Sequence, residues 1–371
     1  MMLGVSAEAE ELRASVRRFL ADRAPLSRVR QLMATEDGLD RAVWDQASSQ
    51  LGLLGLAIPE EYGGAGFTFR EQAIVLEELG AGLYGGPYLA TAVLAATALL
   101  TSADRGARRD LLPAIASGET IATLAFTEDD GSWDPAAIRL AAAQTGDGWR
   151  LDGHKSFVLD GGSAGLILVL AVAGGGPSLF AVNADAPRLG RTALPTMDQS
   201  RKLARLDFDG VPARLIGEAG DGAAVMDRVL DVAAIALAAE QLGGAQRSLD
   251  LTVEYTKVRH QFGRPIGSFQ GLKHRMADLL MEVESLRSAV NYAAAAVAAG
   301  SEEVPIVASL VKAYASETYF HVAAESIQMH GGIGFTWEHD AHLYFKRAKS
   351  SELFLGDASY HRERLAQRIG L

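Results

Sequence analysis

The sequence predicts an α+β protein of three consecutive segments: helices, then short strands, then long helices. Apolar residues recur at helical spacing in the first and last parts of the chain, and β-prone runs broken by Gly, Asp and Pro fill the middle. At 371 residues, 49% of them hydrophobic, the chain is also too long for one ordinary core. The expected domains are a helical 1–118, a β-barrel or sandwich at 119–217, and a helical bundle at 218–371.

In the first segment Leu12, Val16, Phe19 and Leu20 mark a helix face. Ser6 suits its N-cap, and Glu8 and Glu10 fall in the first turn, where negative charge complements the helix dipole. Ala9 stands where a full capping box needs Glu or Gln. Leu51–Tyr62 breaks into Gly and Pro and reads as a loop, and Phe69–Leu79 and Ala90–Leu100 resume helical spacing. The middle segment offers strands at Ile121–Phe126, Ile138–Ala142, Trp149–Leu151, Leu166–Ala173, Ser178–Asn183 and Leu203–Phe208. In the last segment one helix begins near Met226 and runs to about Arg259. A second follows Met276, Leu279, Leu280, Val283, Leu286 and Val290, and a third runs from Pro305 to the glycines after Met329. Long helices in succession predict an antiparallel bundle.

A net charge of −11 argues against nucleic acid as partner. The absence of cysteine excludes a disulfide framework and a thiol nucleophile, and fits a reducing cytoplasm. Met1–Glu11 has no basic and apolar leader pattern, and the longest apolar run, Leu166–Ala173, is far short of the roughly 20 residues of a membrane helix. Glu338-His339-Asp340-Ala341-His342 lacks the order of a zinc-binding helix, so no metal is expected.

Three stretches carry a functional signal: Leu51–Gly66 (LGLLGLAIPEEYGGAG), Tyr255–Gln270 (YTKVRHQFGRPIGSFQ) and Gln328–Phe335 (QMHGGIGF). Together, and in this order around a β segment, they resemble the acyl-CoA dehydrogenase family over essentially the whole chain. The resemblance implies FAD as cofactor, an acyl-CoA thioester as substrate and an electron-transfer flavoprotein as acceptor. A base removes the α-proton and the flavin takes the β-hydride. It also implies that Arg259, Gln261 and Phe262, with Gln328, Gly331, Gly332 and Gly334, contact the FAD held by a neighbouring subunit, the Arg fork suiting phosphate. Taken alone, Arg259 is as readily a carboxylate partner and Gly331-Gly332 a plain helix end.

The chain departs from the family where its own flavin and substrate would sit. The segment resembling Thr-Glu-Pro-x-x-Gly-Ser-Asp keeps Thr127 and Ser132 as flavin contacts but reads Asp129 for proline and carries Trp133. The segment that usually ends Trp-Ile-Thr reads Phe157-Val158-Leu159, and Leu159 has no hydroxyl to offer flavin N5. The usual catalytic glutamate aligns with Leu355, before Gly356-Asp357, and Lys346-Arg347-Ala348-Lys349 holds that register. The alternative base position on the long helix aligns with Ala233, and the arginine after it with Ala234. Two carboxylates remain as substitutes. Glu240 lies on the face of Ala233, roughly 10 Å along the helix, and Glu352 three residues before Leu355.

These losses spare what would serve a neighbour's FAD. They resemble one subunit type of bacterial α2β2 family members, which completes its partner's site while the partner bears the base, in examples that act on bulky thioesters such as steroid side chains. The alternatives are a homo-oligomer with the base moved to Glu240 or Glu352, and a non-catalytic scaffold of the same fold.

Overall fold

The computed structural model describes residues 6–146 and 148–371, so part of the leader reading at Met1–Glu11 lies outside the described residues. In chain order it has α1 (Ala7–Arg23), α2 (Leu26–Met33), α3 (Arg41–Ser49), α4 (Phe69–Ala81), α5 (Ala96–Thr101) and α6 (Arg105–Ala116). Seven strands follow: β1 (Ala122–Ala125), β2 (Ala141–Thr145), β3 (Gly148–Leu159), β4 (Leu166–Ala173), β5 (Gly176–Asn183), β6 (Leu189–Leu194) and β7 (Leu203–Ile216). Then come α7 (Gly222–Val258), the two-residue strands β8 (His260–Gln261) and β9 (Arg264–Pro265), α8 (Gln270–Ala298), α9 (Val304–His330), α10 (Ala341–Leu353) and α11 (Ala358–Arg368). Helices, strands, helices is the expected α+β order.

Two compact units result. One joins the chain up to Ser27, Phe69–Tyr84 and Ala234–Leu371; the other joins Arg28–Thr68 and Gly85–Ala233. α1 and α4 from the first segment therefore belong with the C-terminal helices.

In the first unit the Ser6 side chain caps α1 by accepting from the Ala9 amide at 3.2 Å. α4 and α7 touch backbone to backbone. A Cβ on Gly80 would lie 2.0 Å from the Glu240 carbonyl oxygen, and one on Gly243 1.7 Å from that of Glu77, so only glycine fits at either. Arg13 and Arg17 on α1 reach Glu78 of α4 at 3.0 and 2.8 Å, and Arg287 of α8 reaches Glu77. α9 is buried along its length, with Tyr319 against Gly244 and Thr252 donating to Ser326 at 2.8 Å.

In the second unit the sheet closes on itself: β4 pairs β2 and β5, β5 pairs β7, β7 pairs β3 and β3 pairs β2. β1 joins at β4 and β6 at β7. Leu166–Ala173 forms the strand expected there, buried at nearly every position. Three expectations shift. Ile138–Ala142 yields a strand only from Ala141, since Pro135–Ala137 is a 3-10 turn. Trp149–Leu151 and Leu203–Phe208 lengthen to Gly148–Leu159 and Leu203–Ile216, because each pairs the other across two register shifts. Leu189–Leu194 is a further strand. Ala90–Leu100 opens as a π-helix over Leu89–Ala95 before becoming α5.

Candidate functional site

The two groups of residues that the resemblance assigns to flavin fall in different units. In the first unit α7 ends at Val258, and Arg259 starts a hairpin in which Gln261 pairs Arg264 and Phe262 sits at the tip with φ +53°. Phe262 is 90% exposed. Arg264 stacks on Phe269 at 4.0 Å, which braces the hairpin base. Among the described residues the exposed side chains of Arg259, Gln261 and Gln328 form no hydrogen bond or ion pair.

α9 ends at His330, and Gly331–Phe335 makes a 3-10 turn. Gly331 has φ +64°, a conformation that favours glycine, and Gly334 is packed, its added Cβ 2.9 Å from that of His330. Gly332 has neither reason: an added Cβ would meet nothing within 4 Å. The chain itself does not require glycine there. The Arg259 cation, the exposed side-chain amides of Gln261 and Gln328 and the bare Gly332 are groups suited to a phosphate-bearing ligand approaching from outside.

His330 lies behind this surface. Its ring is buried, stacks on Tyr255 with centroids 4.4 Å apart, and lies tilted against His339 at 4.3 Å. Burial, opposed by a hydrogen bond to Ser326 and reinforced by His339, holds its pKa below the ordinary value.

In the second unit Thr127 is buried and donates to the Ser156 carbonyl at 2.5 Å. Ser132 lies in a loop where its hydroxyl accepts from the Asp134 amide at 3.2 Å. Trp133 packs on Phe126 at 5.8 Å. Glu128 accepts from buried Lys155 at 2.9 Å. Burial pushes that ammonium down to about 8, opposed by Glu128. Burial would raise Glu128, but Lys155 and the Arg139 and Leu140 amides keep it below its ordinary value. Asp129, at the family's proline, takes hydrogen bonds from Ser156 and Arg205 and pairs with His154. Phe157 sits at a bulge with φ +58° and is half-exposed, while Leu159 is buried.

The positions a base would hold are apolar. Leu355 is 3% exposed and has φ +63°, unusual for a branched residue. Its loop is clamped from two sides. The carbonyl of Leu355 faces the His361 Nε2 at 2.9 Å. Fully buried Lys312 donates to Ser316 Oγ at 2.8 Å, to the Gly356 carbonyl at 2.9 Å and to that of Glu352 at 3.2 Å. Burial, then the Lys312 charge, pushes His361 down to about 3. Ala233 and Ala234 are both buried. Of the substitute carboxylates, Glu240 is buried in a 2.9 Å ion pair with Arg347, and Glu352 pairs with Lys349 at 2.9 Å. His339 and His342 join no cluster of three or more metal-binding side chains among the described residues.

Sequence reasoning passed over Lys312, His361 and His330. Lys312 carries a signal, a lone cation within the apolar run Ala308–Ala315. His330 stands inside the glycine motif, where nothing in the local pattern separates a working side chain from a spacer.

Family models for the acyl-CoA dehydrogenase N-terminal, middle and C-terminal domains match residues 6–119, 123–211 and 220–370. The acyl-CoA dehydrogenase IpdE2 of Mycolicibacterium smegmatis is 38% identical over 98% of this chain and 100% of that protein. Among solved structures, a variant of the steroid ACAD Tcur3481-Tcur3483 is 36% identical, covering 99% of both chains with a TM-score of 0.89. The ChsE4-ChsE5 complex from Mycobacterium tuberculosis is 32% identical, covering 100% of this chain and 99% of the other, also with a TM-score of 0.89.

Proposed function

This chain belongs to the acyl-CoA dehydrogenase family, flavin-dependent oxidoreductases acting on acyl-CoA, and we propose that it is the subunit of a heteromeric member that lacks the base. In this reading it completes the FAD site of a homologous partner, which supplies the carboxylate for α-proton abstraction. FAD, when bound, accepts the β-hydride. The observation that carries the reading is a contrast. Arg259, Gln261 and Gln328 are exposed and unengaged among the described residues and Gly332 is bare, whereas Leu355 and Ala233 put buried hydrocarbon at both expected base positions and Ala234 does so at that of the arginine.

Arg259 would hold the pyrophosphate, Gln261 and Gln328 would donate to the cofactor, and Gly331, Gly332 and Gly334 would let it approach. Phe262 would cover the same cofactor, and burial of its exposed ring favours that contact. Thr127 and Ser132 are what remains of this chain's own cradle. A relocated base has less support, since the Glu240 carboxylate is held by Arg347 and that of Glu352 by Lys349. The steroid ACAD and ChsE4-ChsE5 likenesses support a bulky acyl group and an assembly of two homologous chains. An electron-transfer flavoprotein as acceptor follows from the family resemblance.

The test is purification of the chain alone and co-expressed with a homologue that carries the glutamate. We expect little FAD and no turnover alone, and both with the partner. Near one FAD per chain with full dehydrogenase activity in the isolated protein would overturn the proposal.

A further inference from the structure

We propose that Tyr255, His330 and His339 form an acid-sensitive latch that fixes the Arg259–Arg264 hairpin and the Gly331–Phe335 turn in one shape at neutral pH and releases them on protonation. The latch is a property of this chain alone; its consequence for a partner's cofactor rests on the subunit reading above.

The three rings come from three elements: the end of α7, the last residue of α9 and the turn before α10. Each ring meets the other two. Tyr255 stacks on His330 at 4.4 Å with planes 28° apart, His339 lies tilted against His330 at 4.3 Å and 49°, and Tyr255 and His339 meet edge-on at 6.2 Å. The His330 Nδ1 lies 2.7 Å from the Ser326 carbonyl, which can only accept, so Nδ1 carries the hydrogen. Nε2 then holds a lone pair. It is buried and has no hydrogen-bond partner.

A proton added at Nε2 would be a buried donor without an acceptor, on a ring pressed against a second imidazole. The groups facing His330 are Tyr255 from α7, Ser326 from the preceding turn of α9, and His339 from the loop. His339 is the one charge that bears on its titration, and it repels. The His339 Nδ1 accepts from the Ala341 amide at 3.1 Å, so Nε2 carries its hydrogen, and an added proton falls on Nδ1 and breaks that bond. The sign follows. The folded pKa of His330 lies below the unfolded value of about 6.5, so the unfolded or opened state binds the proton more readily. The latch is complete above that pH and weakens as pH falls. Opening separates Tyr255, four residues before Arg259, from His330, one residue before Gly331. The two halves of the exposed surface then lose their common anchor.

Hydrogen exchange of the full-length chain at pH 7.5 and 5.5, corrected for intrinsic rates, tests this without flavin or partner. Segments 252–263 and 326–340 should exchange on the order of tenfold faster at the lower pH relative to the middle of α9. His330→Phe keeps an aromatic ring that cannot protonate, and should abolish the acid response. His339→Phe removes the repelling neighbour, and should move the midpoint toward higher pH. A response spread evenly over the chain, or one unchanged in His330→Phe, overturns the latch. Should His330→Phe fail to fold, an unmoved midpoint in His339→Phe overturns it equally. Failure here leaves the subunit proposal standing, and failure of FAD transfer to a partner leaves the latch standing.

Discussion

Replacing Lys312 by Met would keep the bulk of the side chain and remove its charge and donors. Lys312 is fully buried and holds three acceptors, two of them the carbonyls of Glu352 and Gly356 at the end of α10. Each bond from a charged donor contributes about 1.5–3 kcal/mol, so the three gross roughly 4.5–9 kcal/mol. Removing the buried ammonium returns a desolvation cost of several kcal/mol. The net loss should be about 2–4 kcal/mol, partly because the Glu352 carbonyl in the last turn of α10 and the Gly356 carbonyl in the loop after it lose this donor. Chemical denaturation followed by circular dichroism would measure it, and exchange at residues 353–357 should rise before the rest of the first unit. A change below about 0.5 kcal/mol, the range of an inert surface substitution, would refute the clamp.

Other consequences can be checked separately. His361 is pushed to about 3 while an unfolded histidine titrates near 6.5, so the unfolded state gains the proton first as pH falls; stability should drop on the order of 4–5 kcal/mol between those pH values, and His361→Gln should flatten this limb in acid denaturation curves. Arg259→Ala should weaken FAD retention by the assembled enzyme about 10- to 100-fold, as for loss of a charged hydrogen bond, with an unchanged denaturation midpoint because the exposed guanidinium has no hydrogen-bond or ion-pair partner among the described residues. Glu240→Gln leaves Arg347 buried without its counter-charge and should cost about 3 kcal/mol of stability. Turnover of the assembled enzyme should nevertheless persist; a folded variant without turnover would restore Glu240 as the base.

Much of this was legible because it is local. Ser6 capping α1, the uninterrupted apolar β4 and the glycines after α9 each act within a few residues of their own position. β6 was not legible. Leu189–Leu194 is mostly exposed or half-exposed, and it is a strand because β7 offers it hydrogen bonds. The π-helical opening at Leu89–Ala95 was hidden for a related reason: a wider hydrogen-bond register leaves the same apolar residues in place.

The family motifs, the order of helices and strands, and the hydrocarbon at Leu355, Ala233 and Ala234 could be read along the chain, since they depend on residue type and spacing alone. Folding alone brings Arg347 to Glu240, sets Lys312 and His361 on the Leu355 loop, and packs His330 against Tyr255 and His339. Whether a carboxylate is a base or half of an ion pair, and whether an imidazole titrates near neutrality, depends on what desolvates it and what faces it. Those neighbours lie up to 107 residues away in the chain, beyond the reach of any local pattern.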